Sequence, residues 1–165
     1  MQLPQDQRDP RKSKPAIWEM VGATSAPFSL STGPTHASFA LHAPTGPALL
    51  RADGKPRRVL LRVENITSQS TAPSIDIYLN VPPGDEPAKR PDLRAGTIST
   101  FGLPSSPDDQ HAGNGLAYTE DVTALYLRLA AARDWDPKNL RVSLVPATWD
   151  YPVEVQIGRV CLMLE

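Results

Sequence analysis

Cysteine and long apolar runs are scarce in this chain, and each shortage excludes a class of protein. The single cysteine, Cys161, cannot form an internal disulfide, so the chain is not a disulfide-stapled scaffold. No apolar run approaches the roughly 20 residues that a membrane-spanning helix needs. The N-terminus also lacks the apolar core of a signal peptide. We therefore expect no membrane partner, and a cytoplasmic location is favoured.

An excess of charge of one sign is also missing. Seventeen basic residues against eighteen acidic ones leave a net charge of -1. No stripe of lysine and arginine is available to neutralise a row of phosphates. We therefore expect no nucleic-acid partner.

Short alternating segments dominate the sequence, as the 18 prolines would favour. Ile75, Ile77 and Leu79 alternate with polar residues at the period of two that is typical of half-buried strands. Similar patterns predict strands over residues 17–21, 28–31, 37–42, 58–64, 74–81, 97–101, 140–145 and 153–164. Turn signals rich in proline and glycine separate these strands.

One helix interrupts the strands near residues 121–133. Apolar residues recur at i, i+3, i+4 and i+7 from Val122, with Asp121 placed to cap the first turn and Arg133 near the end. Many strands and a single helix predict a mainly β fold, an antiparallel β-sandwich or flattened barrel with jelly-roll or Greek-key connections. Residues 1–15 are polar and read as a linker or leading arm, and residues 16–165 as a single β-sandwich domain.

The last predicted strand changes phase at Gly158. Its apolar residues occupy odd-numbered positions before this glycine and even-numbered positions after it, which predicts a β-bulge near Gly158. Beyond the change, Cys161 and Met163 place apolar groups on the second face as well. We therefore expect this segment to be covered on both sides, with Cys161 and Met163 as candidates for contact with a partner.

Recognisable catalytic motifs are missing. No GxSxG, CxxC, HExxH, GxGxxG or phosphate-binding glycine loop occurs. His36 and His42 could share one strand face, but no third metal ligand lies near them in sequence. Asp108, Asp109 and His111 could form an acid–base group, although a solvated polar loop is the simpler interpretation. We therefore predict a non-catalytic chain with no metal or cofactor of its own.

Phe101 and Leu103 bracket a glycine at the point where a strand enters a long polar loop. Residues 102–115 form the longest stretch without an apolar pattern, and loops of this length are often functional. Both apolar side chains can complete the core. Alternatively, one or both project from the loop and fill a pocket in a partner.

Several blocks, in order, resemble the C-terminal domain of tyrosinases and polyphenol oxidases, the type III copper enzymes of bacterial or fungal type. SIDIYLNVPPG (74–84) looks like the KFDVYIN block of that family, although serine and isoleucine replace its lysine and phenylalanine. The remaining matching blocks are WEMVGATSAPFSLS (18–31), AGTISTFGLP (95–104), YTEDVTALYLRL (118–129), LRVSLVP (140–146) and VQIGRVCLMLE (155–165).

The resemblance implies a role beside a catalytic domain. A dicopper centre of this family uses six histidines from a helical bundle, and this chain has only three histidines, so the copper would lie in the catalytic domain. The family's C-terminal domain covers the copper site and keeps a phenol- or o-diphenol-oxidising enzyme latent until proteolysis. It can also assist folding or copper loading. The implied partner is the tyrosinase catalytic domain, in the same polypeptide or as a separate chain, and the candidates for a plug in its active site are Phe101 and Leu103.

A lectin-like module is the alternative. Trp149, Asp150 and Tyr151 form an aromatic and acidic turn that could stack on and hydrogen-bond a sugar, together with the 102–115 loop. The sequence alone leaves both interpretations open.

Overall fold

The computed structural model describes residues 16–30, 32–46, 50–101, 103, 115–147 and 154–165. Its strands, in chain order, are β1 (Glu19–Ala23), β2 (Phe28–Leu30), β3 (Thr35–Phe39), β4 (Val59–Ser68), β5 (Ile75–Leu79), β6 (Arg94–Ile98), β7 (Leu116–Asp121), β8 (Leu140–Pro146) and β9 (Val155–Leu164). One α-helix, α1 (Thr123–Ala132), lies between β7 and β8, and two short 3₁₀ turns, Pro87–Lys89 and Pro91–Leu93, precede β6.

The described strands form two antiparallel sheets. The five-stranded sheet has the order β1-β9-β4-β7, with β2 also paired to β9, and the four-stranded sheet has the order β3-β8-β5-β6. Neither sheet closes on itself among these strands. The predicted β-sandwich with one helix is therefore confirmed, and the barrel alternative is not.

Alternating side chains from both sheets fill the space between them. Each such side chain contributes about 1.5–3 kcal/mol when it is fully buried. The largest fully buried ones are Leu30, Leu61, Ile66, Ile75, Ile77, Leu79, Ile98, Leu140, Leu144, Ile157 and Leu162.

The strand β7 was not predicted. It is an edge strand whose residues alternate between half-buried and exposed, so few of its side chains are strongly apolar. Its last residue, Asp121, falls where the helix was expected to begin. The helix begins two residues later, at Thr123, and the Asp121 carboxylate accepts hydrogen bonds from the Thr123 backbone N–H (3.0 Å) and hydroxyl (2.6 Å). These bonds lower the pKa of Asp121 against the opposing effect of its partial burial.

The phase change at Gly158 is real, but a neighbouring strand shares it. In β4 the core-facing positions are odd-numbered up to 63 and even-numbered from 66. Pairing between β4 and β9 keeps one register from Val59 with Leu164 to Ser68 with Val155, which sets Asn65 opposite Gly158. The predicted bulge in β9 is therefore wrong. The core-facing side chains of β4 and β9 change phase together, and the bulge lies where β4 pairs with β7.

Asn65 is the residue that makes this shared shift possible. Its φ of 53° lies in the left-handed region, where asparagine is tolerated better than most residues. Two glycines leave room for it. A Cβ on Gly158 would lie 2.5 Å from the Asn65 Cβ, and one on Gly115 would lie 2.6 Å from the Asn65 carbonyl carbon. The backbone kink at Asn65 therefore depends on two glycines, Gly115 and Gly158.

Tyr118 joins the free edges of the two sheets. Its hydroxyl donates to the Glu120 carboxylate on β7 and lies against Gly96 of β6. Burial and the Glu120 carboxylate raise the pKa of Tyr118 to about 12. Gly96 allows this close approach, because a Cβ there would lie 2.7 Å from the tyrosine oxygen.

Removing this hydroxyl should weaken the contact between β6 and β7. We expect Tyr118→Phe to lower the free energy of unfolding by about 1–2 kcal/mol, because the half-buried Glu120 carboxylate loses its hydrogen bond while the ring is kept. Urea unfolding of the variant against wild type measures the difference. An unchanged midpoint would show that the hydroxyl does not hold the edges together.

Candidate functional site

Phe101 projects into solvent three residues beyond the end of β6, the edge strand of the four-stranded sheet. Its side chain is 97% exposed, against 58% for Ile17 and 39% for Met20, the other exposed large apolar residues of the described chain. A tight turn holds it, because the Leu103 N–H donates to the Thr100 carbonyl at 3.1 Å. A large aromatic group is thus presented to solvent from a fixed turn just beyond the end of β6.

The base of this turn is anchored in the core. Leu103 is only 9% exposed, and the Thr100 hydroxyl donates to the Ala72 carbonyl at 2.5 Å. Of the two plug candidates, Phe101 therefore projects and Leu103 holds the turn in place. A shallow groove of about 450 Å³ runs along the turn. It is lined by Thr71, Ala72, Ser74, Ser99, Thr100, Phe101 and Leu103.

The described lining of the groove and turn suits contact with another surface. Among the residues that the structure describes, it consists of hydroxyl and apolar side chains. Apolar surface framed by hydroxyl groups suits burial against another surface.

Cys161, one of the predicted contact residues, is covered by its own domain. It points away from the core but is only 1% exposed. Arg62 and Arg159 both pair with the Glu64 carboxylate beside it, and the Arg62 Nε to Glu64 oxygen distance is 2.8 Å. The long stems of these arginines shield the thiol. Cys161 therefore forms no part of an exposed contact surface in this structure.

The thiol should be inert while the chain is folded. Burial and the nearby Glu64 carboxylate raise the pKa of Cys161, and the thiolate is the reactive form. We expect Ellman's reagent at pH 8 to label Cys161 at least about 100-fold more slowly in the native chain than in urea. Equal labelling rates in both states would contradict the observed burial.

Met163, the other predicted contact residue, belongs to a partly exposed apolar row, of which Met20 is the most exposed member at 39%. It is half-buried on the outer face of the five-stranded sheet and pairs with Met20 on one side and Leu60 on the other. We call Met20, Leu60 and Met163 the apolar rung. Trp18 lies two residues before Met20 in the chain, and the Arg58 guanidinium is 5.5 Å from the centre of its ring.

The sequence contains a signal for this rung that the strand assignment overlooked. Leu60 falls between Val59 and Leu61, so three consecutive apolar residues give β4 an apolar group on both faces. Met20 likewise occupies the outward phase of β1. Apolar residues at the polar phase of neighbouring strands would have identified the surface.

A dicopper site does not fit the described residues. The His36 ring shares a hydrogen bond with the Ser143 hydroxyl at 2.8 Å, and the His42 ring lies 3.1 Å from the Ala43 carbonyl oxygen. Within the described ranges no group of three histidine, cysteine, aspartate or glutamate side chains could hold a metal ion.

None of the helices described is long and apolar enough to cross a membrane.

Some predicted features lie outside the described residues. They include the linker at residues 1–15, the group of Asp108, Asp109 and His111, and the Trp149, Asp150 and Tyr151 turn. The structure places none of them.

Residues 17–165 match the family model described as Domain of unknown function (DUF7868). A tyrosinase of Hahella sp. (strain CCB-MM4), HcTyr1, is 33% identical over 161 residues, which cover 94% of this chain and 34% of the tyrosinase. The chain thus spans about a third of the length of the curated relative that it matches.

Solved structures show a related fold. A recombinantly expressed latent aurone synthase (polyphenol oxidase) matches with a TM-score of 0.53 at 14% identity, over 81% of this chain and 24% of that protein. The latent apple tyrosinase gives a TM-score of 0.48 at 19% identity, over 84% of this chain and 27% of that protein. The chain therefore belongs to the DUF7868 family, and its relationship to a tyrosinase confirms the resemblance that the sequence blocks indicated.

Proposed function

We propose that this chain is the non-catalytic C-terminal domain of a tyrosinase-like type III copper oxidase and keeps that enzyme latent by covering its dicopper site until proteolysis. The proposal is supported by the relationship to a tyrosinase of which the chain spans 34%. It is carried by one observation in the structure. Phe101 is 97% exposed on a turn whose base is buried.

An exposed phenylalanine on a fixed turn has the properties that a plug requires. Its ring is the size of a phenol, and burying it in an apolar pocket gains about 1.5–3 kcal/mol. Because the turn is already closed by its own hydrogen bonds, little conformational entropy is lost when the ring enters a pocket. Phe101 would thus occupy the position of a substrate ring without touching the copper chemistry.

Covalent connection to the catalytic domain strengthens this block. A short tether raises the effective concentration of the plug to the millimolar range, which free substrate has to outcompete. Cutting the connection turns the contact into an ordinary bimolecular one. The domain can then dissociate, and activity appears.

The test compares the parent enzyme, carrying this chain, before and after cleavage within residues 1–15 and removal of the freed chain. We expect diphenol oxidation to rise at least about tenfold, which corresponds to the loss of roughly 1.4 kcal/mol of tethered contact. Copper content should stay constant, which separates unblocking from metal loading. Equal activity before and after removal would exclude a latency role.

A further inference from the structure

The apolar rung and Phe101 lie at opposite ends of the sandwich. Ser68 pairs with Val155 at one end of the five-stranded sheet, and the Phe101 turn is tied to Ala72, four residues after Ser68. Met163 lies near the other end of β9, eight residues from Val155. At about 3.3 Å per residue the separation along the strand is roughly 26 Å.

The rung has the composition of a contact surface. Methionine and leucine side chains adapt to irregular apolar partners. Charges surround the rung, and the structure already pairs them: Arg58 lies 3.1 Å from Asp121 and 3.4 Å from Glu165. A partner that covers the rung therefore needs no countercharge of its own, so its complementary surface should be apolar.

We propose that the apolar rung docks the catalytic portion of the parent enzyme, which then lies along the outer face of the five-stranded sheet and contacts this chain at two separate points. This inference rests on the proposed function. Most of the length of the matched tyrosinase lies outside the region that this chain covers, which leaves enough length for a catalytic portion larger than this chain. Residues 1–15 precede β1, the strand that carries Met20, so a connection through them would tether the catalytic portion at this end.

The two contacts would perform different tasks. The rung would supply affinity between the domains, while Phe101 would supply the block at the active site. Weakening the rung should therefore increase dissociation of the cleaved domain. Shortening Phe101 should relieve inhibition with a smaller change in affinity.

The experiment measures the Kd between the cleaved catalytic portion and this chain by size-exclusion chromatography and biolayer interferometry. The test variant is Met20→Lys with Met163→Lys, an outward pair between β1 and β9. The matched control is His36→Lys with Ser38→Lys, two exposed residues of β3 on the outer face of the four-stranded sheet, with the same formal change in charge. We expect Kd to rise at least tenfold for the test variant and less than twofold for the control.

Each outcome decides between alternatives. Equal Kd values for wild type and test variant, with both melting normally, would overturn the proposal that the apolar rung docks the catalytic portion. The proposed function would remain intact. If the wild-type chain neither binds nor inhibits the catalytic portion, the proposed function fails and the inference fails with it. A concentration-dependent dimer of the chain that the test variant abolishes would show that a second copy occupies the rung. Should the double lysine variant unfold, Leu60→Thr with an unchanged melting temperature replaces it.

Discussion

Replacing Phe101 with alanine should activate the latent parent enzyme without proteolysis. If the ring contributes about 1.5–3 kcal/mol to the closed state, its removal lowers the closed-to-open ratio roughly 10- to 150-fold. Basal diphenol oxidation by the uncleaved enzyme should rise by a similar factor, up to the activity of the cleaved form. Initial rates before and after cleavage measure the change directly.

Leu103→Ala tests the different role of the second residue in the same turn. Leu103 anchors the turn and is 9% exposed, so its truncation should cost about 2–4 kcal/mol of folding stability. Phe101→Ala should leave the melting temperature of the chain nearly unchanged, because its ring is 97% exposed. Unchanged latency in Phe101→Ala would exclude Phe101 as the plug.

Gly158→Ala should be strongly destabilising although alanine is a small residue. The added methyl group would lie 2.5 Å from the Asn65 Cβ, far inside van der Waals contact. Shifting the kinked strands to relieve this overlap should cost about 3 kcal/mol. The melting temperature should fall by roughly 10 °C. Differential scanning calorimetry of wild type and variant measures both quantities.

The source of the strain can be isolated by a second substitution. Asn65→Gly removes the atom that the new methyl group meets and keeps a residue suited to φ 53°. It should therefore restore most of the stability lost in Gly158→Ala. It should not rescue Gly115→Ala, whose methyl group would meet backbone atoms of Asn65 and Ile66. Equal rescue of both glycine variants, or of neither, would contradict this explanation of the kink.

The β-sandwich could be predicted because most of its strands show an alternating apolar pattern within their own sequence. Alternation in β5 or β8 follows from which side chains face the core, and each strand carries that pattern alone. Phe101 could likewise be chosen from the sequence as a candidate for contact with a partner, because it is an aromatic residue at the start of a polar loop. The tyrosinase relationship followed from blocks in the right order.

Other features depend on neighbouring strands and could not be predicted from one segment. The apolar pattern of β9 predicts a phase change but cannot show that β4 changes with it. Leu103 and Phe101 have similar neighbours in the sequence. Only the packing of the turn shows that Leu103 is buried and that Phe101 projects into solvent. Cys161 lies opposite Arg62, which pairs with Glu64, and these residues are about 100 positions earlier in the chain.

Adding the isolated chain back to its cleaved catalytic portion tests the latency role most directly. Diphenol oxidation should fall saturably as the chain is titrated in, and chain carrying Phe101→Ala should bind but inhibit at least about tenfold less at equal concentration. Catalytic activity that stays constant up to millimolar concentrations of the folded wild-type chain would contradict the proposal that this domain shields a copper site.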